Sequence, residues 1–268
     1  MRRAYRARLT AALLLVSAAL TVCGAGCVTS ARNSARPMTL PTMSGLKATT
    51  TPRAALQLLN KSSLAARLGW GQVSRGGASG KLIALTFDAG ADANDTAGIL
   101  DTLERNGLRC TFFLTGDFVK GSRELVTRMA GEGHELGNHS YSHPRFTSLS
   151  PAEVESQIAR TEEAVRELTG LSSRPYFRFP YGAGSTELVK EINALGYIGM
   201  LWTFDSLDSM GVSAAAIRQR VSRYACAGAI VLMHCGSVEE AKALPDVITD
   251  LEAAGYRIVT LTEVLAAP

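Results

Sequence analysis

At 268 residues, with 46% hydrophobic and 19% charged residues, the chain can bury one sizeable core and at most a small extra module. Its formal charge is +4, but Arg2, Arg3, Arg6 and Arg8 supply four of the 28 basic residues, leaving 24 against 24 acidic ones. That balance excludes an electrostatic case for a nucleic-acid partner.

The four arginines precede a short apolar run at 11–22, too short and wrongly flanked for a membrane span, so residues 1–27 read as an export signal. Gly24-Ala25-Gly26-Cys27 resembles a bacterial lipoprotein processing site. It sets the expectation of a membrane anchor on Cys27, with plain cleavage and release as the alternative. Residues 28–75 are rich in Ser, Thr, Ala, Arg and Pro and read as a flexible tether, which places the folded domain at 76–268. Among the later cysteines, Cys110 and Cys226 are the expected pair, because an extended run separates Cys226 from Cys235.

The organising stretch is KLIALTFDAGAD at 81–92. Its apolar run, bounded by Gly80 and Gly90, reads as a strand buried on both faces, with Asp88 at its end and Asp92 and Asp95 beyond. Strands are then expected at 110–114, 135–138, 176–179, 197–204, 229–233 and 257–261. Helices are expected between them at 95–105, 118–130, 151–168, 186–195, 213–224 and 238–254. The third helix carries its start signal openly, with Ser150 as cap, Pro151 first and Glu153 third. About seven parallel strands alternating with helices imply an α/β fold. Ionisable residues at the strand exits favour a distorted (β/α) barrel over an open sheet, because in a barrel all those exits share one face.

The exits carry Asp88, the pair His139 and His143, Arg178, Asp205 with Asp208, and His234. Two imidazoles four apart suit a helical turn aimed at one metal ion, and equally suit two surface histidines. His234, in an otherwise apolar strand, reads on its own as a satisfied buried histidine. His134 begins its strand and reads as structural.

Taken together, LTFDAG (85–90), HSYSHP (139–144), RFPYG (178–182), DSLDS (205–209) and VLMHCG (231–236) resemble the five ordered motifs of the NodB-like polysaccharide deacetylases, carbohydrate esterase family 4. The resemblance implies a NodB-type barrel and a divalent cation, Zn²⁺ or another such as Co²⁺. It implies Asp88 as general base held by Arg178, His139 and His143 as metal ligands, and the Tyr181 backbone N–H at the oxyanion. His234 is implied as general acid oriented by Asp208, and Leu232 as the wall beside the acetyl methyl. Two positions depart from the pattern. Ala89 stands where the family has a ligating Asp, so Asp92 is the nearest substitute, with Asp95 behind it and Asp88 itself as the alternative. Ser209 stands where Trp is common, and Trp202 lies on the preceding strand. The expected activity is removal of N-acetyl groups from an extracellular polysaccharide, first of all N-acetylglucosamine of peptidoglycan or a chitin-like polymer. An O-acetyl (xylan-type) esterase and a catalytically impaired sugar-binding lipoprotein are the alternatives.

Overall fold

The computed structural model describes residues 71–90 and 92–268. The export signal, the anchor at Cys27 and most of the expected tether lie outside the described residues. Among those described, no helix is long and apolar enough to cross a membrane.

The chain alternates strand and helix around one sheet. In order it forms β1 (Gln72–Val73), β2 (Leu82–Ala89), α1 (Thr96–Arg105), β3 (Thr111–Leu114), α2 (Gly116–Gly121) and α3 (Arg123–Gly131). β4 (Glu135–Asn138), α4 (Pro151–Thr169), β5 (Tyr176–Phe177), α5 (Thr186–Ala194) and β6 (Ile198–Met200) follow. The last part is β7 (Phe204–Asp205), α6 (Ala214–Tyr224), β8 (Ala229–His234), α7 (Val238–Ala253), β9 (Arg257–Ile258) and α8 (Leu261–Ala266). Every strand pairing is parallel, in the order β1-β6-β5-β4-β3-β2-β8-β7, with β9 beside the start of β2. The sheet curls until the segment after β1 meets the start of β8, where Arg75 bridges Ala229 and the Gly76 N–H donates to Gly228 O at 2.8 Å.

Strand periodicity sorts β2 into two roles. Ile83, Leu85, Phe87 and Ala89 point into the core beneath α1, α3, α6 and α7, where burial of Ile99, Leu103, Val126, Ile217 and Leu244 supplies the driving force. Ala84 faces the inner cluster with Phe113 and Ile230, and Thr86 and Asp88 continue that inner face toward the mouth. Ser150 and Glu153 close the expected capping box at the start of α4, and Gly170 ends that helix at φ +70°.

Among the described residues the sheet has nine strands where about seven were expected, and the extra ones are two residues long. β1 begins at Gln72, inside the stretch read as tether, because so short a strand carries no periodicity. The run 197–204 divides into β6 and β7, since Leu201 N–H donates to Val73 O and Thr203 N–H to Ile230 O, on different neighbours. The helix expected at 118–130 divides at Ser122, which leaves helical geometry at φ −128°. The expected Cys110–Cys226 bond is not formed. Cys110, Cys226 and Cys235 are free thiols, Cys110 sealed inside the helix-side core and Cys226 only at its edge. His134 is structural as read: it is buried, and its Nδ1 accepts the Cys110 N–H at 3.1 Å.

Candidate active site

The parallel register of β2 and β8 sets Asp88 directly beside His234. Asp88 faces the mouth because it is two residues along from Thr86 on the inner face. Arg178, just past β5 and fully buried, donates from Nη1 to Asp88 Oδ1 at 2.6 Å and from Nη2 to Thr86 Oγ1 at 2.9 Å. Its guanidinium stacks over the Phe113 ring at 4.0 Å. Burial alone would raise the Asp88 carboxyl, but the Arg178 charge, then His139 and His234, hold it below the usual carboxylate range. Asp88 is therefore ionised at neutral pH.

His139 and His143 come together, though not through a helical turn. The loop turns through two left-handed residues, Ser140 at φ +70° and His143 at φ +58°. Such positions cost about 1–2 kcal/mol each for non-glycine residues. Local hydrogen bonds offset that cost. Asn138 Oδ1 accepts Ser140 N–H at 3.0 Å, Gln157 Oε1 accepts Tyr141 and Ser142 N–H at 2.8 and 2.9 Å, and Ser140 Oγ accepts His143 N–H at 3.1 Å. The imidazoles meet edge to face with centroids 4.8 Å apart. Burial keeps both neutral, and a neighbouring His139 helps bring His143 down to about 4.

On the far strand, His234 Nδ1 donates to Asp208 Oδ1 at 2.8 Å, and Asp208 Oδ2 accepts the His234 backbone N–H at 3.0 Å. Ser206 Oγ donates to Asp208 Oδ1 at 2.9 Å. This grip leaves Nε2 as the imidazole's working nitrogen. Burial would lower His234, but the Asp208 bond and charge outweigh it and raise the imidazole to about 9. Asp205 has a different task, accepting the Leu207 N–H at 2.7 Å to hold the turn. Leu232, 4% exposed, shares the inner face of β8 with His234. Tyr181 sits at φ +60° in a tight turn whose bonds run from Gly182 N–H to Phe179 O and from Ala183 N–H to Pro180 O. Neither uses the Tyr181 N–H.

The donor chemistry around His139 suits a cation. His139 Nδ1 lies 2.8 Å from Arg178 O, which only accepts, so a neutral ring carries its proton there and presents a lone pair at Nε2. That lone pair is 3.4 Å from Asp88 Oδ2, an ionised acceptor. Two acceptors turned toward each other call for positive charge between or beside them, and His143 adds a second neutral imidazole. The third ligand is another matter. Among the described residues no three carboxylate, imidazole or thiol side chains gather as a complete metal site. Asp92 does not join the imidazoles: it is exposed, its Oδ1 accepts the Asn94 N–H at 3.2 Å, and its Cβ lies against Gly236. Ala89 turns into the helix-side core.

Two features, Glu240 and Gln157, went unnoticed in the sequence, and a third, Trp202, was noted without its place. Glu240 of α7 is fully buried beside Ser206 and Asp208, and among the described residues no cation pairs with it. Burial, then the nearby Asp208, push it up to about 8. Its place on a stripe with Ala243, Leu244 and Val247 was a readable sign of burial. Gln157, a helix residue with no motif around it, props the histidine loop from α4. Trp202 packs behind the RFPYG turn, where a Cβ on Gly182 would lie 2.9 Å from its ring.

Comparison with known proteins points to the polysaccharide deacetylases. A family model described as polysaccharide deacetylase matches residues 75–200. The chain is 40% identical over 187 residues to the peptidoglycan-N-acetylglucosamine deacetylase PgdA of Listeria monocytogenes, an alignment spanning 68% of this chain but only 38% of that protein. It is 35% identical over 190 residues to the peptidoglycan-N-acetylmuramic acid deacetylase PdaA of Bacillus subtilis, covering 69% of this chain and 72% of that one. The solved structure of PdaA, a family 4 carbohydrate esterase, superposes with a TM-score of 0.70 at 33% identity over 76% of this chain and 88% of that chain. BA3943 of Bacillus anthracis, a pseudoenzyme of the same family, superposes with a TM-score of 0.71 at 30% identity over 75% of this chain and 70% of that chain.

Proposed function

The chain belongs to the polysaccharide deacetylase family, and from that premise we propose that it is a metal-dependent hydrolase that removes N-acetyl groups from peptidoglycan sugars outside the cell. The observation that carries this reading is the opposed pair on neighbouring strands. Asp88 is held ionised by Arg178 while His234 is held protonated by Asp208, so base and acid are ready together at neutral pH.

His139 and His143 would hold the divalent cation, which when bound supplies Lewis-acid polarisation and a more acidic water. Asp88 Oδ2 takes the proton from the attacking water, while Arg178 keeps Oδ1 fixed and the carboxylate aimed. The Tyr181 N–H faces the oxygen that becomes negative as the carbonyl carbon turns tetrahedral. His234 Nε2 delivers its proton to the departing nitrogen, and Asp208 stabilises the imidazolium until then. Leu232 bounds the space for the acetyl methyl. The products are a free amine on the sugar and acetate. An export signal and a lipid on Cys27 would hold this activity at the cell wall.

Comparing acetate release from N-acetylated and O-acetylated oligosaccharides, with and without chelator, tests the reading. Chelator-sensitive release from the N-acetylated glycan supports it. Release from esters alone would make the protein an O-acetyl esterase. Ala89, together with the pseudoenzyme neighbour, favours one second reading, a sugar-binding protein without turnover. Its mark is glycan binding with no acetate released even under excess Zn²⁺ or Co²⁺.

A further inference from the structure

One arginine at the mouth has no part in the chemistry above. Arg145 follows the histidine loop, and its backbone is pinned by Ser148, whose N–H and Oγ donate to Arg145 O at 3.0 and 2.7 Å. Its guanidinium stands over the Tyr181 ring, 5.0 Å from the centroid. That ring is edge to face with His143 at 4.7 Å, and His143 with His139 at 4.8 Å. A continuous line of ring contacts thus runs to Arg145 from His139, whose Nε2 lies 3.4 Å from Asp88 Oδ2.

The cation itself is unspent. Arg145 is exposed, and among the described residues no carboxylate pairs with it and no acceptor takes its guanidinium N–H groups. A guanidinium held over a ring through its charge spends none of its N–H donors there, so they stay available for a two-pronged grip on a carboxylate. Two more cations border the same loop. Lys120 and Arg160 lie over the Tyr141 ring at 5.2 and 3.5 Å, and neither forms an ion pair among the described residues. The carboxylates at the centre offer this rim no counter-charge, because Asp88 is committed to Arg178 and Asp208 to His234.

Peptidoglycan carries two amino sugars that differ at this point. N-acetylglucosamine is neutral. N-acetylmuramic acid bears, on the carbon next to the one holding the acetamide, a lactyl ether whose carboxyl group is a free carboxylate once the stem peptide amide-linked to it is removed. A cation that reads that carboxylate must therefore sit beside the reacting amide, at the level of a sugar platform. Tyr181, 56% exposed, is such a platform with Arg145 on it. Resting on the deacetylase reading above, we propose that Arg145 is a specificity-determining residue that binds the lactyl carboxylate and directs the enzyme to N-acetylmuramic acid of glycan strands freed of their stem peptides.

The test uses the full chain and two substrates: denuded glycan strands with the lactyl carboxylate free, and the same strands after that carboxyl is reduced to an alcohol. Wild type should prefer the carboxylate strands in kcat/KM, with muramic sugars losing the acetyl group by mass spectrometry. Arg145→Gln should lower that preference about tenfold or more, mainly through KM, and Arg145→Lys should restore part of it. Equal preference in wild type and Arg145→Gln, or no preference in wild type, overturns the assignment. If wild type releases no acetate from either strand, the deacetylase reading fails, and affinities for the same two strands decide the role of Arg145. Tighter binding of the carboxylate strand, lost in Arg145→Gln, upholds it, and equal binding overturns it.

Discussion

Replacing Asp208 by Asn keeps the shape of the side chain and removes the charge behind the proposed acid. In the native site Asp208 accepts from His234 Nδ1 at 2.8 Å and from the His234 backbone N–H at 3.0 Å, and the imidazole stands at about 9 instead of its ordinary 6.5. Complete loss of that lift corresponds to about 3 kcal/mol favouring the imidazolium. At pH 8 the protonated fraction would fall from about 0.9 to about 0.03, roughly thirtyfold, whereas near pH 6 it would fall by less than half. Asp88 and Asp205 also favour the charged ring while burial opposes it, so the imidazole of the variant settles by the balance of the two. The assay is kcat/KM for acetate release between about pH 5.5 and 9.5, which reports the free enzyme's acid and base. The alkaline limb should move from about 9 toward 6.5 in Asp208→Asn, with most of the deficit above neutrality. A uniform loss at all pH values, with the limb unmoved, would refute the reasoning that Asp208 acts by holding His234 protonated.

Arg178→Met leaves Asp88 buried without its cation and should cost about 3–5 kcal/mol by chemical denaturation while moving the acid limb of the rate profile upward; a loss below about 1 kcal/mol contradicts the pairing. Glu240 is lifted from 4.5 to about 8 by burial and Asp208, so the native state keeps a proton that the unfolded chain gives up across that window. Its contribution to stability therefore falls as pH rises through it, by roughly 5 kcal/mol in all. Glu240→Gln should flatten that slope when unfolding is followed at several pH values, and an unchanged slope counts against the assignment. Metal analysis of His139→Ala should find the cation gone, whereas Asp92→Ala should bind it as wild type does, because the Asp92 carboxylate is occupied by its own turn. A tenfold weaker affinity in Asp92→Ala would put that residue back among the ligands.

What the sequence revealed of the site and what it hid follow from the same physics. β2, β3 and β8 were legible because buried parallel strands read as unbroken apolar runs, and an ionisable residue ending such a run stands out. β1 and β7 were not, since two residues define no period and their place is set by neighbours distant in sequence. The histidine loop was legible as a pair of ligands and illegible as a shape. Its left-handed residues are Ser140 and His143, not glycine, and the side chains that hold it belong to Asn138 and Gln157. Glu240 belongs to no motif, although the stripe it shares with Ala243, Leu244 and Val247 marks its face of the helix as buried. Ala89 was visible as a missing ligand. That Asp92 does not replace it depended on the turn after β2, which no pattern specified.

The central claim is that Asp88 works on an acetamide gathered by residues from separate strand ends. The most direct measurement is acetate released from peptidoglycan glycan strands by the full chain and by Asp88→Asn, each supplied with divalent metal and each shown to unfold cooperatively. The account predicts multiple turnovers for the native protein and a drop of about 10²-fold or more in the variant, with bound metal retained. Equal release by both proteins, or none by the native chain at any metal concentration, would contradict it.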